Sequence, residues 1–447
     1  MPGAWTFRND QAMDITSLLQ RRGGLFAGST RILGQALSGQ VVTRIVPLGN
    51  IQHLNRFESR GEPFWSEPSR ALTGSATDAV DDRALFLALA EALERYSVCM
   101  HREDQCIWAT AEELGNEAVD LDLIPRCSPS ELADPHCPLT LPSKTEPIRW
   151  VRGLSLRDGR IVYLPVVLVY LRAPYQCRAE RIALPITTGC ATHCTYEEAL
   201  LHGICEVVER DAVSLVWLQV LQLPRIEFDE CIPECCELDS LSHSSTNDLA
   251  YHLFDATTDV GIPTIYGLQV AARSETLRHL VACSCNPQPE IAVRKVLRDM
   301  VSMRIALRGR LEVPEDIADF SDVMHGAAYM GNVERSHAFS FLLNSQKRIR
   351  FSKMRLSAME SSPLTLTSVL RRLSALNLEA FAVDLSTDEA IRSGLRVVRV
   401  LIPGLQPLSF HYRARYLGHP RLYEGPRALG YPVRGEQEIN HWPQPFG

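Results

Sequence analysis

The sequence predicts an α/β fold, built as one large domain with interleaved strands and helices. Strand-like runs alternate with helical ones from end to end without a break in composition. A hydrophobic content of 45% over 447 residues is enough to bury a large core. Two helical runs also repeat one acidic arrangement, Glu-x-x-Glu-Arg, in otherwise apolar surroundings.

Residues 1–45 mix polar and glycine-rich stretches, Arg21-Arg-Gly-Gly24 among them, and read as an N-terminal segment packing on the body. The main domain is expected over residues 46–447, with short β-like runs from Gln40 onward. Asp81 and Asp82 precede Ala84–Tyr96, a run of strong helix formers with acids at its start. A proline-rich loop is expected from Pro125 to Pro147. Trp150–Leu156 and Arg160–Pro165 then alternate in character around Asp158-Gly159, which predicts a hairpin. The apolar run after it predicts a buried strand continuing to about Leu171. A turn at Gly189 precedes a long helix from Tyr196 to about Leu221. Thr264–Ala272 and Val281–Cys285 read as strands, Glu290 to about Leu307 as a helix, and Ala380–Leu385 and Val397–Pro403 as late strands.

The net charge of −7 gives no general attraction to nucleic acid or to an anionic membrane. The longest apolar stretch, Ile161–Leu171, is too short to span a bilayer and contains Pro165. The first residues carry no secretory pattern, so the chain reads as cytoplasmic. Thirteen cysteines at irregular spacing fit reduced thiols better than a disulfide framework. Cys231, Cys235, Cys236, Cys283 and Cys285 lack paired Cys-x-x-Cys spacing and read as ordinary thiols rather than a zinc site.

The first acidic set is Glu91, Glu94 and Arg95; the second is Glu206, Glu209 and Arg210. Residues three and four apart share a helix face, so each set presents two carboxylates and a guanidinium together. Surface helices spread their charge, whereas here it clusters on apolar helices, and buried carboxylates need cations or partners. Two such faces suit a polyphosphate with magnesium, which shares oxygen ligands between carboxylates and phosphates; arginine adds bidentate phosphate contacts. A structural ion-pair network is the competing reading. Thr195 and Glu198 stand three apart, as in a helix N-terminal capping pair, a role open to Glu198 besides metal binding. His193, just past the glycine turn, is either catalytic or a packed or solvated histidine. No Walker loop is present, so a nucleotide needs another kind of site.

These features together resemble the YcaO family, and within it the ATP-dependent cyclodehydratases that form azolines in ribosomal peptides. The resemblance runs from about residue 22 to the end. It is strongest over Ala84–Ser97, Trp150–Tyr170, Ile186–Trp217, His325–Leu342 and Val383–Leu408, and at the terminal Asn440-His-Trp-Pro-Gln-Pro-Phe-Gly447. It implies ATP and Mg2+ as cofactors, with Glu91, Glu94, Glu198, Glu206 and Glu209 holding metal and nucleotide. Arg95 and Arg210 would support phosphates or orient the acids. Arg304, on a helix where Asp299 and Ser302 replace the usual glutamate and glutamine, would be a further phosphate contact. Gly74-Ser75-Ala76 stands where a Gly-Lys-Gly-like approach is usual, Leu87 where serine is common, and Ala191, His193 and Cys194 depart within the second motif.

The resemblance also implies a catalytic tail, Pro443-Gln-Pro445-Phe-Gly447, with glycine in place of a final proline. Proline would stiffen such a tail, and a terminal carboxylate on Gly447 is a candidate base; the competing reading is a frayed end. Removing the tail is expected to suppress ring formation much more than nucleotide binding. The implied partners are a precursor peptide, a separate ThiF-like leader-binding protein, a flavin-dependent dehydrogenase acting afterwards, and a homo- or hetero-oligomeric complex. A thioamide- or amidine-forming enzyme and a non-catalytic scaffold are the alternatives.

Overall fold

The computed structural model describes residues 13–20, 24–36, 39–49, 72–229, 248–309, 312–360 and 364–447. Its first sheet is antiparallel, in the order β1 (Thr30–Ala36), β2 (Gly39–Pro47), β3 (Thr73–Asp78). Residue 45 therefore lies inside a strand whose pairing ties both sides of it into one sheet. Helix α1 (Asp81–Cys99) follows, with Asp81 and Asp82 in its first turn. Arg44 and Arg31 donate to Asp81 at 2.6 and 2.8 Å, pinning the helix start to the sheet.

Next come β4 (Ile107–Ala109), β5 (Ile148–Ser155), β6 (Ile161–Pro165), β7 (Cys190–His193) and α2 (Tyr196–Leu218). The hairpin between β5 and β6 turns at Asp158-Gly159, where Gly159 has a φ of 76° that favours glycine. The strand expected to run to Leu171 instead stops at Pro165, and Val166–Val169 form a short helix. An apolar run alone does not distinguish strand from buried helix.

The elements that follow include β8 (Arg225–Glu227), β9 (Leu249–Asp255), β10 (Thr264–Ala271), β11 (His279–Cys285), α3 (Pro289–Leu307), α4 (Val323–Gly331), β12 (Arg348–Arg350), β13 (Phe381–Asp384), β14 (Arg396–Leu401) and α5 (Arg421–Ala428). They complete a six-stranded sheet ordered β4-β5-β13-β14-β7, with β6 on β5, and a five-stranded sheet ordered β11-β10-β9-β8-β12. The described ladders are antiparallel except for the parallel β8–β12 pair, and with the helices packed on them they make the α/β architecture expected from the sequence.

Each long helix lies between two of the three sheets. Helix α1 packs on β2 and β3 of the first sheet and on β7 and β14 of the six-stranded one. Helix α2 packs on β7 and β14 and, on its other side, on β10 and β11; α3 packs on β10 and β11 and returns to β1 and β3. Helices and sheets thus close a ring, and the inward faces of the helices meet.

Their outward faces form the core. Ala88, Leu89, Ala92 and Leu93 of α1, Val213, Val216 and Trp217 of α2, and Val293, Val296 and Met300 of α3 are buried. Each large side chain contributes roughly 1.5–3 kcal/mol by leaving water.

One close approach sets the geometry. A Cβ on Gly74 would lie 2.2 Å from the Ala88 carbonyl oxygen and 2.2 Å from the Ala92 nitrogen, so only glycine lets β3 run this near α1. Gly74→Ala is expected to lower unfolding stability in denaturant titration by about 1–3 kcal/mol, the usual cost of overpacking.

Candidate functional site

On α1, Glu91 sits one turn before Arg95, and the Arg95 Nη2 donates to Glu91 Oε1 at 3.1 Å. The other Glu91 oxygen accepts from the backbone N–H of Ser75 at 2.8 Å. Helix α2 repeats the pattern. Arg210 Nη2 donates to Glu206 Oε1 at 3.1 Å, and the backbone N–H of Gly189 donates to Glu206 Oε2 at 2.9 Å. Strand β3 supplies the N–H in the first case and the turn before β7 in the second. Gly189 has a φ of 86°, and a Cβ there would lie 2.2 Å from the Val400 carbonyl oxygen. The two Glu-x-x-Glu-Arg sets are therefore alike in three dimensions as well as in sequence. The bond at Ser75 comes from its backbone, so the departure of its side chain from the usual lysine leaves this contact intact.

The second acid of each set is more enclosed. Glu209 is 3% exposed; it pairs with Arg210 Nη1 and accepts from the Cys285 N–H at 3.0 Å. Glu94 lies 4.0 Å from Arg95. Burial pushes its pKa up to about 8; Arg95 pulls against this, while the negative charges of Glu206 and Glu91 add to it. The influence of Glu206 on Glu94 brings the two sets within electrostatic reach across α1 and α2.

A third helix completes the cluster. Lys295 of α3 lies 3.8 Å from Glu209 and 3.3 Å from Asp299. Burial works against the lysine's charge, yet Asp299 and Glu209 hold its pKa above the ordinary value. Burial opposes the Arg210 charge too, and Glu209 and Glu206 outweigh it. Farther along the same face, Ser302 contacts Thr77, and Arg298 lies 3.2 Å from Asp78, both on β3.

Five carboxylates (Glu91, Glu94, Glu206, Glu209 and Asp299) thus stand with three cations, Arg95, Arg210 and Lys295. The excess of carboxylates over cations suits a divalent cation. Among the described residues no three His, Cys, Asp or Glu groups converge on one metal-sized point. Glu91, Glu206 and Glu209 each spend oxygens on a guanidinium and a backbone N–H group. An ion held here would take an oxygen or two from either wall and the rest from phosphate and water, as magnesium commonly does.

Two predicted site residues lie elsewhere. Glu198 occupies the first turn of α2, where its Oε2 accepts from Thr195 Oγ1 at 2.7 Å and lies 2.7 Å from His193 Nδ1. The Thr195 hydroxyl also accepts from the Glu198 N–H, so the pair closes the helix end. At 1.5 Å per residue, Glu198 is about 12 Å along the axis from Glu206. Arg304 is turned to the five-stranded sheet, where Nε donates to Gln269 at 2.6 Å and Nη1 to the Leu277 carbonyl at 3.2 Å. Nine residues separate it from Lys295, which puts it on the opposite face of α3. Cys283 and Cys285 are buried free thiols; Cys231, Cys235 and Cys236 lie outside the described residues.

The tail is docked rather than frayed. Trp217 Nε1 donates to the Trp442 carbonyl at 3.0 Å, and Tyr412 Oη to the His441 carbonyl at 2.7 Å. Pro443, Gln444, Pro445 and Phe446 are buried. A Cβ on Gly326 of α4 would lie 2.1 Å from the Gln444 carbonyl oxygen, so the tail runs directly over that glycine. Phe446 forms a parallel bridge with Val281 of β11, and the Arg210 guanidinium carbon lies 4.5 Å from its ring centroid. Gly447 ends beside Met303 and Ala327. Arg210 also lines a mainly apolar cavity of ≈100 Å³, with Val207, Ile186, Arg399 and Tyr416.

The model of the YcaO cyclodehydratase family, described as ATP- and Mg2+-binding, matches residues 77–406. The chain belongs to the YcaO family. The cofactors of the family, ATP and Mg2+, agree with the acidic ring of helices. A relative is an uncharacterized protein in the tfuA 3' region of Rhizobium leguminosarum bv. trifolii, 27% identical over 80% of this chain and 78% of its own length. Among solved structures, a heterocyclase in complex with substrate and cofactor superposes with a TM-score of 0.75 at 21% identity, covering 96% of this chain. The chain spans only 56% of that heterocyclase. YcaO from Methanopyrus kandleri bound with AMPPCP and Mg2+ gives a TM-score of 0.58 at 18% identity, covering 86% of each chain. A chain of the E. coli microcin synthetase McbBCD complex with pro-MccB17 bound gives 0.61 at 14% identity, covering 96% of this chain and 99% of that one. These likenesses establish the YcaO fold.

Among the residues gathered at this YcaO site, Lys295, Phe446 and the backbone N–H groups of Ser75, Gly189 and Cys285 were not anticipated. The Lys295/Asp299 spacing of four was the one visible sign of the lysine.

Glu94 makes the metal-free protein sensitive to pH. Its folded pKa is raised, so the stability it contributes is present below the ordinary value of 4.5 and is lost as pH rises toward about 8. The difference in unfolding free energy between the metal-free wild type and Glu94→Gln, followed by denaturant titration, is expected to shift against the wild type across that window.

Proposed function

We propose that this YcaO protein is an ATP-dependent cyclodehydratase acting on Cys, Ser or Thr residues of a ribosomal precursor peptide. The observation that carries the reading is the meeting of two arginine-held carboxylate pairs with a docked proline-spaced tail that reaches Arg210. When bound, Mg·ATP supplies the phosphoryl group that carries off the amide oxygen as a Cys, Ser or Thr side chain closes on the preceding carbonyl, giving thiazoline or oxazoline.

The chain's own part is positioning and charge neutralisation, the main tasks in phosphoryl transfer. Glu91 and Glu94 from α1 and Glu206 and Glu209 from α2 hold the magnesium. Arg95 and Arg210 keep these carboxylates aimed, and the N–H groups of Ser75, Gly189 and Cys285 fix their far oxygens. Lys295 offsets phosphate charge. Glu198 serves the helix end and Arg304 the sheet, outside this set. The tail from Pro443 to Gly447 borders the reaction space and bears on ring closure.

The substrate is a precursor peptide, and a separate ThiF-like protein presents it; a flavin-dependent dehydrogenase acting afterwards would oxidise the rings. The E. coli relative, a synthetase complex with its pro-peptide bound, supports a peptide substrate and a multisubunit assembly.

Reconstitution with candidate precursor and partner, read by mass spectrometry, is expected to show a loss of about 18 Da per ring, the mass of one water. Glu206→Gln should remain folded and lower ATP-dependent modification on the order of 100-fold. Full modification by that variant would remove Glu206 from the site.

A further inference from the structure

Phe446 is the tail residue that meets the acidic cluster, through Arg210. Its backbone bridges to Val281 at the outer edge of the five-stranded sheet, and the side chain is 7% exposed. The Arg210 guanidinium carbon lies 4.5 Å from the ring centroid, within the range of a cation–π contact. A guanidinium donates hydrogen bonds in its plane and stacks through its face. Arg210 accordingly keeps Nη2 for Glu206 and Nη1 for Glu209 while the ring shields it. The tail reaches this point because Gly326 leaves room for the Gln444 backbone, and it ends against Met303 of α3 and Ala327 of α4. Three helices therefore feel whether the tail is seated.

We propose that Phe446 is a positioning residue that couples seating of the tail to binding of Mg·nucleotide: the ring holds Arg210 in the orientation that aims Glu206 and Glu209. The inference rests on the reading of the acidic cluster as the metal–nucleotide site. Coupling of this kind is reciprocal, so the seated tail tightens Mg·nucleotide and Mg·nucleotide seats the tail. It departs from the expectation that the tail serves ring formation while sparing nucleotide binding.

The test measures the affinity of the full chain for Mg·AMPPCP in wild type, Phe446→Leu, Phe446→Tyr and Glu206→Gln, each checked for folding by near-UV circular dichroism. Losing the ring's attraction for the guanidinium is expected to weaken binding roughly threefold to thirtyfold in Phe446→Leu, while Phe446→Tyr stays near wild type. Hydrogen exchange at the Phe446 and Gly447 amides should slow when Mg·AMPPCP is added to the wild type. Equal binding by wild type and Phe446→Leu, beside a loss in Glu206→Gln, would overturn the coupling and leave the site intact. Equal weakening by Leu and Tyr would overturn the role given to the ring. Unchanged binding in Glu206→Gln would show that the site itself is misread, and the coupling would fall with it.

Discussion

A carboxylate withdrawn from water is tolerated only where positive charge or hydrogen-bond donors replace the water, and this requirement organises the centre of the protein. Glu91 and Glu206 each meet it with an arginine one turn away and a backbone N–H, from strand β3 for one and from the turn before β7 for the other. Glu209 meets it with Arg210, Lys295 and the Cys285 N–H. Glu94 lies 4.0 Å from Arg95, and burial drives its carboxyl toward the protonated state. The cluster is therefore balanced for a further cation, in keeping with Mg2+ binding by the YcaO family.

The fold serves this balance by closing three helices and three sheets into a ring, so that acids from α1 and α2 and the lysine from α3 converge although they are far apart in sequence. Close packing between strand and helix is part of the device. Gly74 and Gly189 allow β3 and the turn before β7 to come near enough for their N–H groups to reach the acids. A bulkier residue at either place would move the donor away from its carboxylate as well as strain the packing.

Much of this was legible in the chain. The α/β class followed from alternating apolar runs, and α1, α2 and α3 from helix formers and their starting acids, all local signals. Repetition of Glu-x-x-Glu-Arg pointed to the two acidic faces for the same reason, because spacing along a helix fixes which side chains are neighbours. The meeting of Lys295 with Glu209 was not legible, since it depends on how two helices cross. Nor was the Phe446 contact with Arg210, which joins residues more than two hundred positions apart. For Glu198 and Arg304 motif position suggested a ligand role, and the structure adds local partners, Thr195 and His193 for one and Gln269 for the other. Pro165 ended a strand that apolar composition alone would have prolonged.

On the proposed reading, the metal–nucleotide complex is held between α1 and α2 by the two arginine-supported carboxylate pairs. Anomalous diffraction from crystals of the full chain grown with Mn2+ and AMPPCP tests it most directly. Metal peaks are expected between the Glu91/Glu94 and Glu206/Glu209 pairs, with carboxylate oxygens from both helices at about 2.0–2.3 Å. Metal and nucleotide found together elsewhere, with both Glu-x-x-Glu-Arg sets unchanged and unliganded, would contradict it.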